Sequence, residues 1–176
     1  MIRLPASLPL SGLILRRPQL EDAPALFSWA SDPEVTCYLS FPPHPSLEES
    51  LAVLRRLERS WAELEGRLAS CRLIEVEGKA AGSLSVRADR YELELGYDLA
   101  RPYWGRGIMP RAVRGLTEGL LKKGAHRVYA TAHVENAASH RVLEKAGFLR
   151  EGRIRNYFYF PNLGERADGY LYARVR

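Results

Sequence analysis

Cysteine is scarce in this chain. Its two cysteines, Cys37 and Cys71, lie far apart and lack Cys-x-x-Cys spacing. Buried thiols are therefore expected, not a disulfide framework or a thiolate metal site. His44, His126, His133 and His140 show no metal spacing with other ligands, so no metal is expected. Long apolar runs are missing too: none approaches the roughly 20 residues needed to cross a bilayer, which argues against a membrane partner. No run of five or more basic residues occurs, although the net charge is +5 and the pI about 9.4. That dispersal argues against nucleic acid, while the surplus suits a polyanionic small ligand. Repeats, low-complexity tracts and linkers are absent, and 46% hydrophobic with 27% charged residues is a globular balance. One domain over residues 1–176 is expected. Residues 1–12 contain Pro5 and Pro9 and no apolar h-region. They read as a loose leader and not as a signal peptide, which implies a cytoplasmic protein.

What is present centres on Tyr91 to Pro110, YELELGYDLARPYWGRGIMP. Its first half alternates. Leu93, Leu95, Tyr97 and Leu99 share a face with Tyr91; Glu92, Glu94, Gly96 and Asp98 share the other. This period of two marks a strand. Trp104-Gly105-Arg106-Gly107-Ile108 follows as a glycine turn that opens a helix. Free amides at a helix start, with the helix dipole behind them, suit a phosphate, and glycine lets the backbone come close.

The other elements follow from spacing. Leu13–Arg17 reads as a strand, and Leu20, Ala23, Leu26, Phe27 and Ala30 as a helix that Asp32-Pro33 stops. Phe41–Pro45 is a stiff loop. Ser46 and Glu49 form a capping box for a helix carrying Leu47, Leu51, Leu54, Leu57, Trp61 and Leu64, which Gly66 ends. Residues 68–76 and 79–87 read as a hairpin about Glu77-Gly78. A helix after the glycine turn closes at Gly124, a strand spans 126–134, and Asn136 caps a helix that Gly147 closes. Two last strands begin at Phe148 and Tyr170. The order is strand, two helices, three strands, helix, strand, helix, two strands. That implies an α/β (α+β) architecture: one mixed sheet with helices on both faces.

Order and motifs together resemble the GNAT superfamily of N-acetyltransferases, and within it the RimJ/RimL-type branch, which acetylates protein N-terminal α-amines. The resemblance spans about residues 13–175. It is carried by Leu13-x-Leu15-Arg16, Glu94-Leu-Gly96-Tyr97, Pro102-Tyr-Trp-Gly105-Arg-Gly107-Ile, and Asn136-x-x-Ser139 running to Glu144-Lys-Ala-Gly147-Phe148. It implies the GNAT-like acyl-CoA N-acyltransferase fold, with a mostly antiparallel central sheet, and acetyl-CoA as co-substrate. The turn from Trp104 would then seat the pyrophosphate on amides from Gly105 and Arg106 through Gly107 and Ile108 to Met109. The pantetheine arm would pair with the backbone around Tyr97 to Leu99. Arg101 and Arg106 would contact phosphate or stand as solvated charges. Asn136 would touch the cofactor arm, cap its helix, or do both.

Two departures from the family pattern stand out. The tyrosine that many members use as acid for the leaving thiolate is Leu143 here, and a glutamate that serves RimL-like enzymes as base falls at Phe158. The branch pattern offers Ser139 as the acid, beside a plain capping role. Glu94 is the candidate base, acting through a water, beside a role as a solvated strand residue. Glu92 and Asp98 share its face, and clustered carboxylates raise one another's pKa and draw cationic amines. An α-amine, with a pKa of about 7.7–8.0, is roughly a tenth neutral at pH 7 and demands little of a base; a lysine amine demands more. The acceptor pocket is expected between the Phe41–Pro45 loop and Tyr157–Phe160. The leading acceptor is a protein N-terminus. A small-molecule amine, or a non-catalytic acyl-CoA-binding role, is the alternative. His133 and His140 flank the Asn136 turn, and a structural role is expected for each. The aromatic terminal strands would support a homodimer.

Overall fold

The computed structural model describes residues 4–64, 71–89 and 92–176. Its strands are β1 (Ser7–Leu10), β2 (Leu13–Arg16), β3 (Cys71–Val76), β4 (Lys79–Asp89), β5 (Glu92–Leu99), β6 (Arg127–His133), β7 (Leu149–Phe160) and β8 (Glu165–Val175). Its helices are α1 (Ala23–Ala30), α2 (Pro33–Thr36), α3 (Leu47–Leu64), α4 (Ile108–Lys122) and α5 (Ala137–Lys145). The strands form one sheet in the order β1-β2-β3-β4-β5-β6-β8-β7. Every neighbouring pair is antiparallel except β5 and β6, which run parallel because α4 crosses between them.

The alternation of β5 is realised. Leu93 and Leu95 are buried beneath α4 and α5, in a cluster with Ile108, Val113, Leu116 and Leu143. On the opposite face Ala23, Leu26 and Trp29 of α1 meet Leu54 of α3, Leu73 and Ala100. Helices thus cover both faces, each burying one apolar stripe. The α3 stripe is graded: Leu54 and Trp61 are buried, Leu51 and Leu57 half-buried, and Leu47 exposed. Gly82 of β4 lies opposite Leu99 of β5, and a Cβ there would run into the Asp98 carbonyl oxygen and the Leu99 Cα. Close approach of these strands therefore depends on a residue without a side chain.

Several expectations change. The loose leader is in part a strand: Ser7–Leu10 pairs antiparallel with β2 around Ser11 and Gly12, the latter at φ +74°. Leu4, Leu8 and Leu10 are half-buried against the main core, which supplies the apolar gain that holds this segment. Pro33 does not only stop α1. Asp32 accepts a hydrogen bond from the Glu34 amide (2.9 Å), and Pro33 opens the short α2, where its missing N–H costs nothing. The Ser46 side chain pairs with Glu48 and holds that carboxyl below its ordinary range. Both cysteines are free and half-buried. Gly66, residues 68–70 and Tyr91 lie outside the described residues.

Candidate active site

The parallel ladder between β5 and β6 is short. It registers Leu93 with Val128 and Glu94 with Tyr129. Beyond these pairs both strands continue, β5 to Leu99 and β6 to His133, without pairing to each other. The sheet opens there like a V. A cavity of about 1170 Å³ fills the opening, lined by Gly96–Leu99 of β5, Ala130–His133 of β6 and the start of α4. The inner edge of β5 thus faces open space, and its backbone groups are available to an extended ligand.

The glycine turn forms the rim. Gly107 is the N-cap of α4 at φ +67°, and no side chain caps it. Gly105 stands at φ +74°, with no atom within 4 Å of where a Cβ would sit. The first amides of α4 have no partner within the helix, so the turn presents bare donors to the cavity. Ile108 and Met109 line the cavity, and their side chains are buried in the core. Trp104 is half-exposed, and its indole N–H donates to the Leu99 carbonyl (2.7 Å). This bond ties the turn to the end of β5.

The two arginines lie elsewhere. Arg106 reaches Glu77 (3.1 Å) and stacks over Tyr103 at 5.4 Å, outside the cavity lining. Arg101 is paired with Asp32 (2.6 Å) and Glu34 (3.3 Å) and lines a separate, smaller cavity.

On the far side Asn136 caps α5 by accepting from the Ser139 amide (3.0 Å). The Ser139 hydroxyl lies 2.7 Å from the Tyr97 hydroxyl. Burial pushes the Tyr97 phenol above its ordinary range, so it stays protonated. A tyrosine hydroxyl from β5 and a serine hydroxyl from α5 therefore meet at the cavity.

Two carboxylates of β5 line the same cavity, which Glu34 and Glu135 also border. Glu94 is paired with Arg87 across the β4–β5 ladder, and the Arg87 Nε donates to it at 2.9 Å. Asp98 accepts from the Ser83 amide (3.1 Å) and hydroxyl (2.7 Å). Burial drives its carboxyl up to about 6, while Ser83 and Trp29 pull the other way. Glu92 instead turns to Arg127 (3.2 Å) and does not line the cavity. Among the described residues no three His, Cys, Asp or Glu side chains gather as a metal set.

Tyr157, Phe158 and Phe160 do line the cavity. The Phe41–Pro45 loop does not; Glu34, Val35 and Cys37–Ser40 take that place. The cause is Asn162, between β7 and β8. Its side-chain amide donates to the carbonyls of Thr36 (2.6 Å) and Phe41 (2.9 Å), drawing the intervening residues over the cleft. Phe41 then packs toward α1 and α3, and His44 bonds Ser50 (2.8 Å). Sequence reasoning missed Tyr38 as a wall residue. No local pattern marks it, because its position depends on Asn162, more than a hundred residues away.

A V-shaped opening beside a helix start with bare amides defines a class: enzymes that lay an acyl-CoA along a split sheet. The family model of the acetyltransferase (GNAT) domain matches residues 12–149. The chain belongs to this family and is an N-acetyltransferase. It is 32% identical to the uncharacterized N-acetyltransferase p20 of Bacillus licheniformis over 170 residues, 93% of each chain. It is 26% identical to the L-amino acid N-acetyltransferase AaaT of Escherichia coli K12, across 95% of this chain and 100% of AaaT. Among solved structures it is similar to RimL, a ribosomal L7/L12 α-N-protein acetyltransferase in complex with coenzyme A. That likeness has a TM-score of 0.83 and 25% identity, covering 96% of this chain and 97% of RimL. Acetyl-CoA is the co-substrate, and the residues present suit it: open amides for a diphosphate and an unpaired strand edge for an extended arm.

Proposed function

We propose that this enzyme moves the acetyl group of acetyl-CoA to an α-amine, with a protein N-terminus as the leading acceptor, in the manner of the RimJ/RimL-type branch. The observation that carries this reading is the pair of β5 carboxylates, Asp98 and Glu94, on the cavity wall. An α-amine sheds its proton near pH 7.7–8.0, so a weak base suffices. Asp98, driven up to about 6, is matched to that task. Glu94, held in place by Arg87 across the β4–β5 ladder, draws the cationic amine and relays the proton it sheds through water. The neutral amine attacks the thioester carbon, the nitrogen gives its surplus proton to the same carboxylates through water, and the C–S bond breaks. Backbone amides near Tyr97 to Leu99 face the oxyanion. Ser139, backed by Tyr97, protonates the leaving thiolate. Amides from Gly105 to Met109 hold the diphosphate, and Asn136 borders the arm.

The alternative acceptor is a free amino acid or related small amine, favoured by the likeness to AaaT. A panel of tripeptides, amino acids and polyamines, read by mass spectrometry, separates these. Tripeptides are expected to gain one acetyl group at the α-amine, at a rate that falls as pH drops through about 6. Faster acetylation of polyamines or of lysine side chains would overturn the α-amine reading.

A further inference from the structure

His133 ends β6 where that strand has left β5, and it lines the cavity with only 4% of its surface exposed. Three contacts fix its ring. The Glu135 amide donates to Nδ1 at 3.1 Å. Tyr38 stacks on one face at 4.8 Å, and Phe160 meets it edge-on at 4.7 Å. A nitrogen that accepts a hydrogen bond carries no proton, so the hydrogen of the neutral ring sits on Nε2. That Nε2 is buried and has no partner. Among the described residues, no other buried side-chain nitrogen or oxygen lacking a partner belongs to a residue lining this cavity.

An unmet buried donor is costly, and folded proteins rarely keep one without a use. The surrounding rings supply no lone pair of consequence, since an aromatic face is at best a weak acceptor. Phe158, which packs on Phe160 at 5.3 Å, extends this apolar surround. Other buried side-chain atoms among the described residues lack a partner too, but His133 belongs to the cavity lining, where a bound ligand would supply the acceptor. The donor lies on the β6 arm of the V, across from the β5 arm that carries Asp98, so an acceptor amine near the carboxylates would bring its neighbouring atoms toward the imidazole.

We propose that His133 is the acceptor-recognition residue: its Nε2–H binds the oxygen of a carbonyl or carboxylate adjoining the attacking amine. This rests on the α-amine reading and sharpens it. The enzyme then selects an aminoacyl group, at a chain end or in a free amino acid, over an amine that merely has the same size. The rings of Tyr38 and Phe160 hold the imidazole in one orientation, and Glu135 holds it in one tautomer.

The test compares alanine amide with isopropylamine, which keeps the amine and the methyl but has no oxygen. Rates are corrected to the neutral amine. The wild type is expected to prefer alanine amide by about 100-fold or more in kcat/KM, because a site built to bond an oxygen rejects a ligand without one. His133→Phe keeps the ring stack and removes the donor. It is expected to cut that preference at least about 10-fold, through KM for the acceptor and not KM for acetyl-CoA. His133→Gln, which restores an N–H at a similar reach, is expected to recover part of it. A preference unchanged in His133→Phe, or absent from the wild type, overturns the assignment. Should the phenylalanine variant not fold, the imidazole resonances of the wild type decide. The Nε2–H signal is expected to shift with alanine amide and not with isopropylamine, and an unmoved signal overturns the proposal. Free alanine and trialanine as added arms tell the amino acid from the chain end. If the wild type acetylates no amine at all, the α-amine reading falls, while the resonance still reports on His133 by itself.

Discussion

Gly107→Val is expected to abolish acetyl-CoA binding while the protein stays folded. Gly107 sits at φ +67°, where an L-residue costs roughly 1–2 kcal/mol and a β-branched one fits worst. The cost to the fold is bounded, because a Cβ there meets nothing nearer than an Arg111 guanidinium nitrogen at 3.7 Å. The cost to the ligand is not bounded in this way. Two branched methyl groups would stand where a diphosphate must approach the α4 amides, and those amides are its main source of hydrogen bonds. Calorimetric titration with CoA should show affinity lower by at least about 100-fold, the loss of two charge-assisted bonds. A thermal melt should show the variant still folding cooperatively. Unchanged affinity would mean that the turn is not the phosphate site.

Ser139→Ala is expected to lower kcat by about 100-fold, the range of a lost general acid, while CoA affinity changes less than about 3-fold. The amide that Asn136 caps is the backbone N–H of Ser139, so it survives the substitution, and α5 keeps its start. What is lost is the hydroxyl 2.7 Å from Tyr97. Tyr97→Phe should give a smaller fall in the same direction, since the serine would remain without its hydroxyl partner. Single-turnover rates with a tripeptide acceptor check both variants. A rate untouched by Ser139→Ala would return this serine to capping and leave thiolate protonation to water.

What could be read in advance and what could not divide along physical lines. The β5 alternation, the glycine turn and the Asn136 cap are local patterns, and each is found where its spacing placed it. Strand β1 escaped because Pro5 and Pro9 argue against a ladder; on an edge strand that argument loses force, and the Ser11-Gly12 turn was the available signal. The V-shaped opening has no local sign, since pairing between β5 and β6 depends on residues more than thirty apart. Arg101 and Arg106 look alike in sequence, beside the same turn. Their settings differ because Asp32, Glu34 and Glu77 arrive from elsewhere in the chain. The Tyr38–His133–Phe160 stack joins three distant segments, and only the folded chain shows that His133 keeps a donor without a partner.

The most direct measurement is a crystal structure with CoA bound. The expected map places the diphosphate oxygens within about 3 Å of main-chain nitrogens in residues 105–109, with the pantetheine lying along the free edge of β5. A diphosphate seated anywhere else, such as the smaller cavity beside Arg101, would contradict the account at its root.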